Sequence, residues 1–154
     1  MAIQKLNGND YIIFIDTTTP ITESTGAAYR PVACMTSSGL SGSTNVIEVS
    51  DKCNDGFADA IPGNKTNTIT GSGNAIDETL EPSMDSFEEL LSLYQDGTEF
   101  WMKIANKTGN TATPVIREAV GFLTDYSETA DTDTPYTFDF TFRAKGRFNT
   151  AVTT

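Results

Sequence analysis

A chain of 154 residues supports one domain with one core, since two independent cores of half that length would each be marginal. With 38% hydrophobic and 10% aromatic residues it has the means to pack, which excludes a disordered chain. Lys and Arg total 10 against 21 Asp and Glu, a net charge of -11 that opposes tight binding to phosphate backbones or anionic lipid, and the absence of His excludes Ser–His and Cys–His nucleophile pairs and imidazole-ligated metals.

The first eight residues hold no apolar stretch of signal-peptide length, and nothing in the sequence approaches the roughly 20 apolar residues of a membrane-spanning helix. A soluble chain made in a cytoplasm is the expectation. Asp10 to Asp16 (DYIIFID) is apolar on both faces and reads as a buried strand, followed by a Thr-rich turn region from Thr17 to Ala28 with Pro20 and Gly26. Tyr29 to Ser38 and Asn45 to Asp51 read as two strands of a hairpin turning near Ser41-Gly42. That hairpin sets Cys34 opposite Ser50, three residues or about 10 Å short of Cys53. The gap exceeds the roughly 7 Å Cα limit for a disulfide, so two reduced thiols are expected.

Asn54 to Asn64, with Gly56, Pro62 and Gly63, predicts a long mobile loop, and Thr66 to Thr70 a strand with one all-Thr face. Phe87, Leu90, Leu91 and Tyr94 recur at helical spacing; Ser86 with Glu89 fits a capping box, Asp85 with Glu88 offers a competing register, and Gly97 supplies the stop. Phe100 to Ile104 and Arg117 to Tyr126 are further strands, separated by a Gly- and Thr-rich loop from Asn106 to Pro114. In the last strand, Tyr136 to Arg143, Phe138, Phe140 and Phe142 line one face, while Thr137, Asp139, Thr141 and Arg143 line the other. The candidate core is therefore the helix stripe plus these three phenyl rings. The fold class is mostly β (α+β): a single domain over residues 1–154, a sandwich or barrel of about seven to nine strands with one amphipathic helix packed on it.

No catalytic centre, metal site or cofactor site emerges. Asp51 to Gly56 has acids at positions one and five of a calcium loop, but Cys53 stands at three and Pro62 where the bidentate Glu belongs. Gly71-Ser72-Gly73 lacks the continuation of a phosphate loop and reads as a strand end or bulge. Glu88-Glu89 suits the first turn of a helix, Asp131-Thr132-Asp133 a solvated turn, and Trp101 a core or interface position. Arg143, Lys145 and Arg147 cluster near the end, too few for a nucleic-acid groove.

Four segments together resemble the major tail tube protein of long-tailed bacteriophages. They are Asn7 to Asp16, Tyr29 to Lys52, the helix with Gly97 to Ile104, and Gly121 to Ala130 running on into the Phe-rich strand and Gly146. Their order and spacing extend over nearly the whole chain. One departure lies after Lys52, where Phe57 and Asn67 stand at positions for which the family suggests two aromatics.

The resemblance implies a β-barrel-like fold shared with the type VI secretion tube protein. It also implies a homo-oligomer of hexameric rings stacked into a hollow tube around a tape-measure protein, joined to tail-end proteins. Double-stranded DNA would pass through without tight binding and no membrane would be involved. The place implied is the virion tail, assembled in the bacterial host cytoplasm. On that reading Glu48, Thr68, Thr70, Asp139 and Thr141 are candidates to face the lumen, where a wall poor in cations lets DNA slide; the alternative is that they face solvent outside. Asp51, Asn54, Asp55, Phe57, Asp59 and Lys65 are candidates for a loop that orders against the next ring. A secreted or surface β-sandwich binding module is the competing function, and an enzyme using only carboxylates is a third, for which no acid pair stands out.

Overall fold

The computed structural model describes residues 7–23, 26–50, 53, 56–77, 84–85, 87–106 and 116–150. Its strands are β1 (Tyr11–Asp16), β2 (Arg30–Pro31), β3 (Met35–Val49), β4 (Asp59–Asn74), β5 (Phe100–Asn106), β6 (Arg117–Thr129) and β7 (Thr137–Ala144), with one helix, α1 (Phe87–Asp96). All seven join one antiparallel sheet in the order β2-β1-β5-β6-β7-β4-β3. This is the mostly-β architecture with a single helix that the alternation of residues predicts.

The two outermost strands, β2 and β3, are consecutive in the chain, with Val32, Ala33 and Cys34 alone between them. Four residue steps reach at most about 14 Å. The edges of a seven-stranded sheet can lie that close only if the sheet rolls up. Gly71 marks a point where three strands close in: a Cβ there would stand 2.6 Å from the Phe140 ring, 2.8 Å from the Met35 methyl and 2.9 Å from Ile13 Cδ1. Rings and chains from β7, β3 and β1 thus meet over the bare backbone of β4.

The core fills the inside of the roll. Ile13, Ile69, Leu90, Met102 and Phe142 are fully buried, and Phe138, Phe140 and Phe100 nearly so. Phe100 and Phe142 sit with ring centroids 5.3 Å apart, and Phe138 stacks on Phe140. The phenyl face of the last strand is core, as its alternation requires. The helix stripe needs correction. Leu90 is buried and Phe87 packs against the cluster, but Leu91 is half-buried and Tyr94 is exposed, stacked on Tyr126. Leu93 takes the inward place instead, because the helix lies rotated toward the Leu90–Leu93 line against the core. Gly97 ends the helix with φ at 63°; its amide donates to Tyr94 O and that of Thr98 to Leu93 O, a Schellman stop. Ser86 of the expected capping box lies outside the described residues.

Two other expectations fail for one reason. The chain does not turn at Ser41-Gly42; β3 runs unbroken through both, paired from Met35↔Gly73 to Val49↔Asp59. The expected loop from Asn54 to Asn64 is strand from Asp59 onward, Pro62 included. Gly and Ser signal a turn locally, yet pairing with β4 extends through both positions, Ser41 facing Thr68 and Gly42 facing Asn67, and Ser41 Oγ meets Thr68 Oγ1 at 2.6 Å. The true turn lies between Val49 and Asp59. No disulfide joins Cys34 and Cys53, for a different reason than the supposed hairpin gave. Cys34 O accepts from Asn74 N at one end of the ribbon, whereas Cys53 belongs to the turn at the other.

Two substitutions test this packing. Gly71→Ala should destabilise the fold by about 1–3 kcal/mol through overpacking. Leu90→Ala should do so by about 2–5 kcal/mol through the cavity it leaves. Urea midpoints with unchanged m-values would bear both out; a neutral Gly71→Ala would mean the roll is looser than described.

Candidate functional site

Four neighbouring strands, β3, β4, β7 and β6, have two unlike faces. The inner face carries Leu40, Ile69, Phe138, Phe140, Phe142 and Leu123. The outer face carries the residues between them. Direct cross-strand pairs on that side are Thr70↔Thr141, Ser72↔Asp139 and Thr68↔Arg143 on β4 and β7, continued by Thr141↔Asp125 and Asp139↔Ser127 on β6. Ser72 Oγ donates to Asp139, fixing that carboxylate along the wall. A shallow open hollow of ≈ 400 Å³ lies over Thr70, Asp125, Ser127 and Asp139. The geometry therefore unites Thr68, Thr70, Asp139 and Thr141 in one hydroxyl- and carboxylate-rich surface. Glu48 is not among them: it pairs with Ala60 far along β3.

That distant stretch is an arm. β7 supports β4 only as far as Asn67↔Ala144, so Ser43–Val49 and Asp59–Thr66 continue as a two-stranded ribbon with no third strand among the described residues. It projects roughly 20 Å. The arm exposes apolar side chains that a lone domain has no use for: Val46 is 60% exposed, Ile47 53%, Ile61 50%, and Phe57 in the turn 80%. Of the candidate loop residues, Phe57 is in the turn, Asp59 and Lys65 are in β4, and Asp51, Asn54 and Asp55 lie outside the described residues. The apolar pattern of the arm was legible as alternation, but not that both of its faces are bare.

The sheet also has open edges. Among the described residues no strand pairs with β3 on the side away from β4, and β6 is paired to β5 only up to Gly121, leaving the β5-side edge of 122–129 without a strand partner. Between β1 and β3 the roll stays open as a cleft of ≈ 830 Å³ lined by Tyr11, Ile12, Met35, Leu40, Ile104 and Arg117.

A second layer covers the outer face of β1, β5 and β6. The loop after β1 is held by Asp16, which is 1% exposed. One carboxylate oxygen accepts from Thr18 N (2.9 Å), Thr18 Oγ1 (3.1 Å) and Thr19 N (3.0 Å); the other accepts from Ala27 N (3.0 Å), Ala28 N (2.9 Å) and the Thr19 hydroxyl. Burial alone would raise its pKa. The Thr19 hydroxyl and the Ala28, Thr19 and Thr18 amides together outweigh that and hold the carboxyl far below the ordinary range. Asp-Thr-Thr-Thr was the available signal, a short acid beside hydroxyls that can cap their own backbone. The loop then roofs Trp101, whose Nε1 donates to Pro20 O at 3.3 Å, and lays Tyr29 across Lys103, with Nζ 4.2 Å from the ring centroid. Tyr29 donates to Glu118 at 2.6 Å, and Asn149 Nδ2 donates to the same carboxylate at 3.2 Å. Burial pulls the Lys103 pKa down while Glu118 opposes it; burial, then Glu118, pushes the Tyr29 phenol well up.

The buried carboxylates of the described residues are thus occupied in structure: Asp16 by the loop, Glu118 by Tyr29 and Asn149, Asp85 by Arg30 at 2.9 Å. Among the described residues no group of three or more His, Cys, Asp or Glu is placed to hold a metal.

No family model and no curated protein matches the sequence. Solved structures do match its fold. A chain from the tail of an empty gene transfer agent particle, refined with C6 symmetry, superposes with a TM-score of 0.70 at 15% identity, covering 96% of this chain and 100% of that one. The SPP1 tail tube gives 0.66 at 9% identity, covering 97% and 81%. The six-fold symmetrised anti-feeding prophage baseplate gives 0.60 at 11%, covering 95% of both. The chain therefore has the phage tail tube fold that its sequence resembles.

Replacing Asp16 by Asn keeps the shape but removes the charge that six donors surround. A loss of about 1–3 kcal/mol is expected at neutral pH. Because the folded-state pKa is depressed, this stabilisation is complete above the ordinary Asp pKa of about 3.9 and drains as pH falls below it. Denaturant titrations from pH 7 to about pH 2 should accordingly find wild type and Asp16→Asn converging toward the acid end; parallel curves would refute the charge-based latch.

Proposed function

We propose that this chain is the repeating, non-enzymatic subunit of a phage-type tail tube, in which rings of six copies stack into a hollow cylinder. The observation that carries this reading is the fold match over 96–97% of the chain to the C6-refined gene transfer agent tail and the SPP1 tail tube. The physics of the sheet supports it. A four-stranded wall with free edges on β3 and on Phe122–Thr129 of β6 is the shape that closes into a continuous ring when the edge of one copy pairs with that of its neighbour. The apolar arm then has a use, lying against the adjacent ring.

In that ring the polar wall faces the bore. Duplex DNA carries about one negative charge per 1.7 Å of axis, so cations in the wall would hold it at every step. Thr68, Thr70, Thr141, Ser72, Asp125 and Asp139 offer hydroxyls and like charge over most of the wall, with Arg143 at its end opposite Thr68, and DNA in transit slides. The tape-measure protein would occupy the same bore during assembly in the host cytoplasm, with tail-end proteins closing the tube in the virion.

Concentrated protein should form hollow filaments of uniform width by negative-stain electron microscopy; particles that stay monomeric at every concentration would sink the reading and favour a binding module. Asp139→Lys with Thr141→Lys should still give such filaments, but these should retain a short DNA duplex in low-salt sedimentation where wild-type filaments release it. Equal release from both would count against this wall lining the bore.

A further inference from the structure

Along β7 the exposed charge changes sign from one end of the strand to the other, while Glu48 and Asp59 lie farther out on the arm. Seven Lys and Arg fall among the described residues. Arg30 pairs with Asp85, Lys103 lies over the Phe14 and Tyr29 rings, and Arg117 donates to Ile116 O. The other four, Lys65, Arg143, Lys145 and Arg147, gather where β7 ends and the arm leaves the barrel. Lys65, Arg143 and Lys145 rim one hollow of ≈ 330 Å³ beside Phe122, and Lys145 and Arg147 rim a second of ≈ 290 Å³ beside Trp101. All four are exposed. Lys145 is held by Glu99 at 2.9 Å, whereas Lys65, Arg143 and Arg147 make no ion pair among the described residues. Arg143 stands opposite Thr68 and Phe122, neither of which answers its charge.

At the other end of the same strand the sign reverses. The β6–β7 turn carries Asp131 and Asp133, both exposed and without an ion pair among the described residues. Glu128 beside them is already engaged, accepting from the Tyr126 and Tyr136 hydroxyls. The two ends are separated by the length of β7, about 25 Å, too far for one copy to satisfy itself.

We propose that the basic root of the arm is a docking surface for the acidic β6–β7 turn of a second copy in the next ring. This rests on the tube reading above and adds what sets the polarity and order of stacking. A contact between unlike ends of identical molecules is heterologous and does not close on itself, so it propagates as a stack. A net charge of -11 makes each copy repel the next at long range. Unpaired cations concentrated at one end give the approach a single favoured orientation, with the arm leading across the junction. Head-to-head and tail-to-tail encounters set like charges against each other and are rejected.

Two charge-reversed variants test this. Arg143→Glu with Arg147→Glu makes both ends acidic; Asp131→Lys with Asp133→Lys makes both ends basic. Thermal melts monitored by circular dichroism establish that each still folds. Each alone should need about tenfold more protein than wild type to form tubes, and wild-type assembly should weaken with added salt. Mixed one to one, the variants should recover tubes of wild-type length, since every junction then joins unlike ends. The proposal falls if either variant alone elongates like wild type, or if the mixture does not recover. It falls also if the Arg variant assembles normally but loses hold of a duplex oligonucleotide that wild type retains, which would make the basic end a nucleic-acid surface. Wild type that never assembles would instead bring down the tube reading itself.

Discussion

Three residues between the first and last strands of the sheet constrain everything else in this molecule. Because Val32 to Cys34 cannot span a flat seven-stranded sheet, the sheet must roll, and rolling gives each strand an inward face and an outward one. Phe138, Phe140 and Phe142 go in with Ile69 and Leu90; Asp139, Thr141 and Thr70 stay out. The same link is itself pinned, with Val32 N donating to Ile13 O and Ala33 N to Asp85 O. The roll nonetheless stops short of closure and leaves the edge of β3 unpaired among the described residues.

Incompleteness is the common thread of the surface features. An unpaired edge, a two-stranded arm with Val46 and Ile47 exposed, and charges with no ion pair, all as they stand among the described residues, are each unfavourable for an isolated domain. Each becomes favourable beside another copy. The interior shows the opposite policy: Asp16 and Glu118 are buried only with donors arranged around them, and no buried side-chain polar atom of the described residues lacks a partner. Polar groups are fully satisfied where the fold must hold, and left open where the proposed assembly would use them.

The outer layer serves the same division. Asp16 gathers the Thr17–Ala28 turn region onto the β1–β5–β6 face, and Tyr29 and Pro20 then cover Lys103 and Trp101. This makes one side of the roll thick and closed, leaving the β3–β4–β7–β6 side as a single layer with one face bare among the described residues. In the proposed tube, a thin wall inside and a thick one outside is the arrangement that keeps the bore open.

Residue order alone determined the strand character of the segments, the phenyl face of β7, the helix with its Gly97 stop, and the lack of His chemistry, because each depends on spacing within a few residues. It also carried the resemblance to the tail tube family. It misplaced the turn at Ser41-Gly42 and the loop before Thr66, since local turn preference there is overridden by a ladder between β3 and β4 that only pairing reveals. It favoured Leu91 and Tyr94 over Leu93, because helical spacing defines a stripe but the rotation of that stripe is set by what it packs against. It grouped Glu48 with Thr68 and Thr70, and noticed three cations near the end without Lys65, which joins them through the register of β4 against β7. Alternation fixes which way a side chain points within its strand. Which side chains then stand together is a matter of register across strands far apart in the chain, and that only the tertiary structure decided.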